Sequence, residues 1–155
     1  MSESAFLFKK PKESPGLLLW QVTTLWQRTI KKTLEPYNIT HPQFTIMAIL
    51  LWFEENYKDA TQATLADFSK LDKMTISQSL KFLSSKNYIK RREHPLDTRA
   101  KLVNLTVEGK RLITQLVSLI EAIDYEFFCT INQDDQSQFI EILHKIIEEK
   151  DPINR

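Results

Sequence analysis

The chain has 155 residues, with 21 Lys and Arg against 20 Asp and Glu, 42% hydrophobic and 26% charged, which is the composition of one globular domain able to bury a continuous core. A single cysteine, Cys129, excludes an intramolecular disulfide framework and any multi-cysteine zinc or iron–sulfur centre, and two glycines, Gly16 and Gly109, leave no Gly-rich nucleotide-binding loop. No apolar run reaches the roughly 18 residues needed to span a bilayer, and the opening MSESAFLFKKPKESPG lacks a secretory leader pattern, so a cytoplasmic protein without membrane contact is expected.

Residues 1–15, with Pro11, Pro15 and mixed charge, read as an N-terminal arm. The first helix starts at Pro15 or Gly16, carries Leu18, Val22, Leu25, Trp26, Thr29 and Ile30 at three- and four-residue intervals, and is stopped by Pro36. Its apolar population is wider than one stripe, which suggests packing on two sides, with another subunit as a candidate for one of them. Thr40-His41-Pro42-Gln43 is a capping box with proline in the first turn, and Ile39 can staple against Phe44. A second helix therefore opens at Thr40 and continues through Phe44, Met47, Ala48, Leu51 and Trp52.

Thr61-Gln62 introduces a short helix, residues 69–72 form a turn, and another helix runs over residues 73–86. Short helix, turn and longer helix make a helix-turn-helix candidate. In its second member Ile76, Ser79, Leu80 and Leu83 share one face, and Met74, Ser77, Gln78 and Lys81 share the other. A merely solvated helix usually alternates Glu and Lys, but residues 73–86 hold no acid at all. Close approach to a polyanion explains that better.

Charge counted by segment agrees. Residues 70–101 hold nine bases and three acids, whereas the remainder holds twelve bases and seventeen acids. A basic surface on an otherwise acidic protein suits a polyanion, because each phosphate contact releases condensed counterions; the plainer alternative is a solvated charged face. Residues 89–93 and 99–106 have strand character around a His94-Pro95-Leu96-Asp97 turn. The resulting hairpin carries Lys90, Arg91, Arg92, Arg99 and Lys101, and a basic ribbon can follow a DNA groove or backbone, although an edge hairpin kept soluble by its cations is the blander reading.

Two long amphipathic helices finish the chain. The first runs from Thr106 through Leu112, Ile113, Leu116, Leu119, Ile120, Ile123 and Phe127; the second carries Phe139, Ile140, Leu143, Ile146 and Ile147 behind the N-cap Asn132. Residues 106–151 hold four bases and ten acids, so they do not belong on nucleic acid. Dimerisation and intrachain packing both suit their apolar stripes.

This order of elements, with Asp97-Thr98-Arg99-Ala100-Lys101-Leu102-Val103-Asn104-Leu105-Thr106-Val107-Glu108-Gly109, resembles the MarR family of winged-helix transcriptional regulators. Asp97, Arg99, Val103, Leu105, Thr106 and Gly109 match the family's wing pattern D-x-R-x-x-x-V-x-L-T-x-x-G, and the resemblance covers residues 17–149. It implies a mainly α fold with a small β-hairpin. A winged helix-turn-helix DNA-binding lobe at about residues 40–105 and dimerisation helices at about 16–35 and 107–149 would share one domain, residues 16–155. It further implies a homodimer on a pseudo-palindromic operator in double-stranded DNA, with the lobe's second helix in the major groove.

By that resemblance Lys73, Thr75, Ser77, Gln78 and Lys81 are the expected base and phosphate contacts. Arg99 would reach the minor groove or flanking phosphates, Asp97 would orient the wing arginine, and Arg91, Arg92 and Lys101 would add unspecific phosphate affinity. Two positions depart from the family. Asn87 stands where glycine usually follows the recognition helix, and asparagine tolerates the left-handed conformation. Gln78 stands where many relatives have arginine; glutamine pairs bidentately with adenine, arginine with guanine.

Many relatives bind a small aromatic or phenolic effector between dimerisation helices and lobe. Trp20, Trp26, Tyr37, His41, Trp52 and Phe53 are the aromatics available to line such a crevice, although core packing accounts for most side chains of this kind. Cys129 reads as a buried, inert thiol. His41, His94 and His144 lie on different elements without ligand spacing, so neither metal nor cofactor is expected. Nothing places a nucleophile, a base and an orienting group together, so an enzyme is not expected. The expected function is a homodimeric repressor relieved by an effector; the competing one is a helical dimer whose winged lobe makes protein contacts.

Overall fold

Proline and side-chain caps set the element boundaries. In the computed structural model, which describes residues 3–151, Ser14 caps helix α1 (Pro15–Leu34), and Pro36 sits in a 3-10 turn, Glu35–Tyr37, that ends it. The first two residues of the expected arm and the last four of the expected domain lie outside the described residues. Helix α2 (His41–Glu55) opens on the expected capping box: Thr40 Oγ1 accepts the Gln43 N–H at 3.3 Å, and Gln43 Oε1 accepts the Thr40 N–H at 3.0 Å. Ile39 and Phe44 are both buried beside it.

Helices α3 (Gln62–Ser69) and α4 (Lys73–Ser85) follow, then strands β1 (Ile89–Glu93) and β2 (Lys101–Leu105), then α5 (Val107–Phe128) and α6 (Gln133–Lys150). The strands pair antiparallel, Ile89 opposite Leu105 and Glu93 opposite Lys101. The second strand starts two residues later than its composition suggests. His94 donates its N–H to Ala100 O at 3.0 Å and Ala100 donates its own to Asp97 O at 3.1 Å, so Arg99 belongs to the hairpin tip.

The core gathers Ile46, Met47 and Leu50 of α2 with Leu65 of α3, Ile76, Leu80 and Leu83 of α4, and Ile113 and Leu116 of α5. Each such side chain contributes about 1.5–3 kcal/mol by leaving water. From α1 only Ile30 and Leu34 are fully buried, both near its C-terminal end. Among the described residues of α6 none is buried. Its C-terminal cap, Asp151, pairs with Lys70, which ends α3 in the left-handed conformation at φ 57° and thereby opens the helix-turn-helix turn.

A joint holds the end of α4 to the start of α5. Thr106 donates its hydroxyl to Asn87 O at 2.6 Å and accepts the Gly109 N–H at 3.0 Å, so one side chain caps α5 and ties it to the chain leaving α4. Asn87 takes φ 58°, the left-handed conformation expected of it. The backbones approach so closely that a Cβ on Gly109 would fall 1.9 Å from Tyr88 O. The closing half of the wing pattern, L-T-x-x-G, thus has a steric and hydrogen-bonding cause in this chain.

Candidate nucleic-acid interface

Asp72 positions the second helix of the helix-turn-helix. Its carboxylate accepts the Thr75 N–H at 2.8 Å and the Thr75 hydroxyl at 2.9 Å, and these bonds hold it below the usual carboxylate range. Composition alone places Asp72 only in the turn, although an Asp three residues before Thr75 is a capping signal.

Behind that cap α4 divides as its periodicity requires. Ile76, Ser79, Leu80 and Leu83 are buried, while Lys73, Met74, Ser77, Gln78 and Lys81 are exposed. Thr75 differs from the rest of the expected contact set, being half-buried with its hydroxyl engaged by Asp72.

The hairpin stands beside this helix because its second strand is held to the lobe. Val103 donates its N–H to Ala60 O at 2.9 Å and Leu102 bridges to Thr61, so the segment before α3 lies along β2. Leu102 and Val103 are both buried, on opposite faces of the strand, while Lys90, Arg91, Arg92, Arg99 and Lys101 are all exposed. Asp97 accepts the Arg99 backbone N–H at 3.0 Å, so it shapes the backbone of the tip that carries the arginine. One lobe therefore presents an acid-free helix face and a cationic ribbon.

A crevice of about 940 Å³ opens between α1, α2 and the α3–α4 turn. Of the six aromatics proposed for it, only Trp26 and His41 are among its lining residues. Trp20 is 71% exposed on the first turns of α1; Tyr37 accepts a hydrogen bond from Gln115 Nε2 at 3.2 Å; Trp52 packs on Phe53 and Phe68, with Lys58 Nζ 5.0 Å from its ring centroid. Trp52 lies near the azimuth of His41 and Thr45 but about three turns further along α2 than His41, beyond the end of the crevice, and Phe53 next to it points away from that face.

The crevice also has members that the sequence did not single out: Arg28 and Lys31, one turn apart on α1, and Phe82 from α4. Trp26 donates its indole N–H to Asp124 Oδ1 of α5 at 2.7 Å and meets the His41 ring edge-on at 5.1 Å between centroids. Burial lowers the pKa of His41, against the attraction of Asp124.

Cys129 does not fit its expectation. It is exposed, because it caps the C-terminal end of α5 where the chain turns toward α6, and its thiol donates to Glu126 O at 3.1 Å. Among the described residues no group of three or more His, Cys, Asp or Glu could hold a metal ion, and no helix is long and apolar enough to cross a membrane.

Residues 35–123 match the ArnR1-like winged-helix domain. The helix-turn-helix-type transcriptional regulator YdcH of Bacillus subtilis is 36% identical over 121 residues, which cover 78% of this chain and 82% of that protein. A mutant MarR of Escherichia coli complexed with operator DNA has the same fold, with a TM-score of 0.74 at 24% identity over 85% of this chain and 92% of its own. CouR of Rhodococcus jostii bound to p-coumaroyl-CoA superposes with a TM-score of 0.79 at 22% identity, covering 90% and 95%. On the family match and the shared fold, this chain belongs to the ArnR1-like winged-helix domain family and is a transcriptional regulator of the MarR type.

Proposed function

We propose that the protein is a cytoplasmic, homodimeric repressor that binds a pseudo-palindromic operator and leaves it when a small aromatic or phenolic effector enters the crevice. The observation that carries DNA recognition is the outward face of α4: Lys73, Ser77, Gln78 and Lys81 are exposed with no acid among residues 73–86, beside a wing carrying five exposed cations. Lys73, Ser77, Gln78 and Lys81 make the base and phosphate contacts, and Thr75 supports them through the Asp72 cap. Arg91, Arg92, Arg99 and Lys101 hold the backbone and groove, with Asp97 shaping the tip.

Dimerisation is supported by what the long helices leave uncovered. Leu18, Leu19 and Val22 of α1 and Ile140, Ile146 and Ile147 of α6 are all exposed in the single chain. A twofold partner would cover them and set the two recognition helices roughly 34 Å apart, one turn of DNA. The lobe, about residues 40–105, and the dimerisation helices, about 16–35 and 107–149, then share one domain. The effector site is supported by Trp26, His41 and Phe82 beside Arg28 and Lys31, aromatic walls with cations at the rim, and by the ligand named for CouR. An effector there touches α1, α2 and the α3–α4 turn, and so shifts the spacing of the lobes.

The test is a binding titration at two salt concentrations, with the duplex upstream of the protein's own gene against an unrelated duplex. Tight binding that prefers the upstream duplex, falls by about 0.9 in log K per phosphate contact for each tenfold rise in salt, and weakens for Arg99→Ala is expected. Absence of binding to either duplex at low salt would overturn the reading in favour of a lobe that contacts protein.

A further inference from the structure

Met74 lies at the middle of the outward face of α4. At about 100° per residue, the buried Ile76, Ser79, Leu80 and Leu83 define one direction and Met74, Gln78, Lys81 and Ser85 follow the opposite one. Met74 is 70% exposed, although it is the only large apolar side chain on that stripe. It stands in the first turn, next to the Asp72 cap, and the first turn of a recognition helix is where side chains meet base edges.

In the major groove, the apolar feature available to such a side chain is the 5-methyl group of thymine. Gln78, one turn further along the stripe, carries the amide that pairs with N6 and N7 of adenine. Successive positions on one face thus prefer the same class of base pair. Ser77 beside them is small enough to admit close approach.

Resting on the regulator reading above, we propose that Met74 is a specificity-determining residue that packs on a thymine methyl group in each half-site, next to the A·T pair read by Gln78. Leucine in its place would preserve the contact and alanine would remove it. Because the side chain is exposed, neither change disturbs the core.

The probe is the upstream duplex, with each thymine of the protected segment replaced singly by deoxyuridine, which removes only the methyl group. The wild type is expected to lose about three- to fivefold in affinity at one or two thymines of each half-site, the worth of one buried methyl. Met74→Ala should bind the unmodified duplex weaker by a similar factor and be indifferent to uracil at those same positions, while Met74→Leu keeps the sensitivity. Unchanged melting temperatures would confirm that both variants are folded. Indifference of the wild type to uracil everywhere, or an equal loss in wild type and Met74→Ala at each sensitive thymine, would overturn the proposal and leave the regulator reading standing. Failure of the wild type to bind the unmodified duplex overturns both, and is seen before any thymine is replaced.

Discussion

The winged lobe and the long helices bury their apolar side chains by different means. In the lobe α2 is surrounded: α3, α4, β2 and α5 pack on it, and Ile46, Met47, Leu65, Leu80 and Leu83 have lost essentially all contact with water. In α6, Ile140 and Ile146 remain 55% and 54% exposed, and α1 buries only Ile30 and Leu34, close to the lobe. Both regions are amphipathic by sequence. The difference teaches that a stripe is a demand for a partner: the lobe meets it within one chain, whereas α1 and α6 leave theirs uncovered, which is what the proposed dimer rests on.

That contrast can be broken most forcefully at the joint. Gly109→Ala places a methyl group against Tyr88 O, which belongs to rigid backbone, so α5 must shift away from the exit of α4. The expected loss is about 3 kcal/mol, the upper end of overpacking effects, read as a lower melting temperature by circular dichroism. A wild-type melting curve would show that the close approach relaxes without cost.

A smaller change sharpens the contrast by separating the regions. Ile146→Asp puts a charge in the face proposed to be covered by a second copy, and should raise the dimer dissociation constant by about thirtyfold, on the order of 2 kcal/mol. Light scattering on a sizing column checks it. The isolated chain should keep its lobe, because α6 contributes nothing to that core. A wild type that runs as a monomer at micromolar concentration sinks the dimer.

The smallest expected effect lies where the regions meet, at His41. Its pKa is lowered on folding, so as pH falls from about 6.5 the unfolded chain takes up a proton that the folded chain still declines. Stability should therefore fall with falling pH in that window and level off once the folded ring also protonates. His41→Gln should remove this component of the pH dependence. Identical pH slopes of melting temperature in variant and wild type would refute it.

Much of this architecture was legible in the residues themselves. Caps and prolines act within one turn of chain, so Thr40, Thr61, Asn132 and Pro36 announce their boundaries. The α4 faces follow from the helical period alone, and the wing pattern spans thirteen consecutive residues. What the tertiary structure decided involves partners far apart in sequence or geometry that periodicity does not encode. Asn87 accepts the hydroxyl of Thr106, nineteen positions on, and Trp26 meets Asp124 at a separation of 98. Which aromatics line the crevice depends on how α1 crosses α2, and the exposure of Cys129 on where α5 stops, because packing between elements, unlike a cap or a period, is settled only when the chain returns on itself.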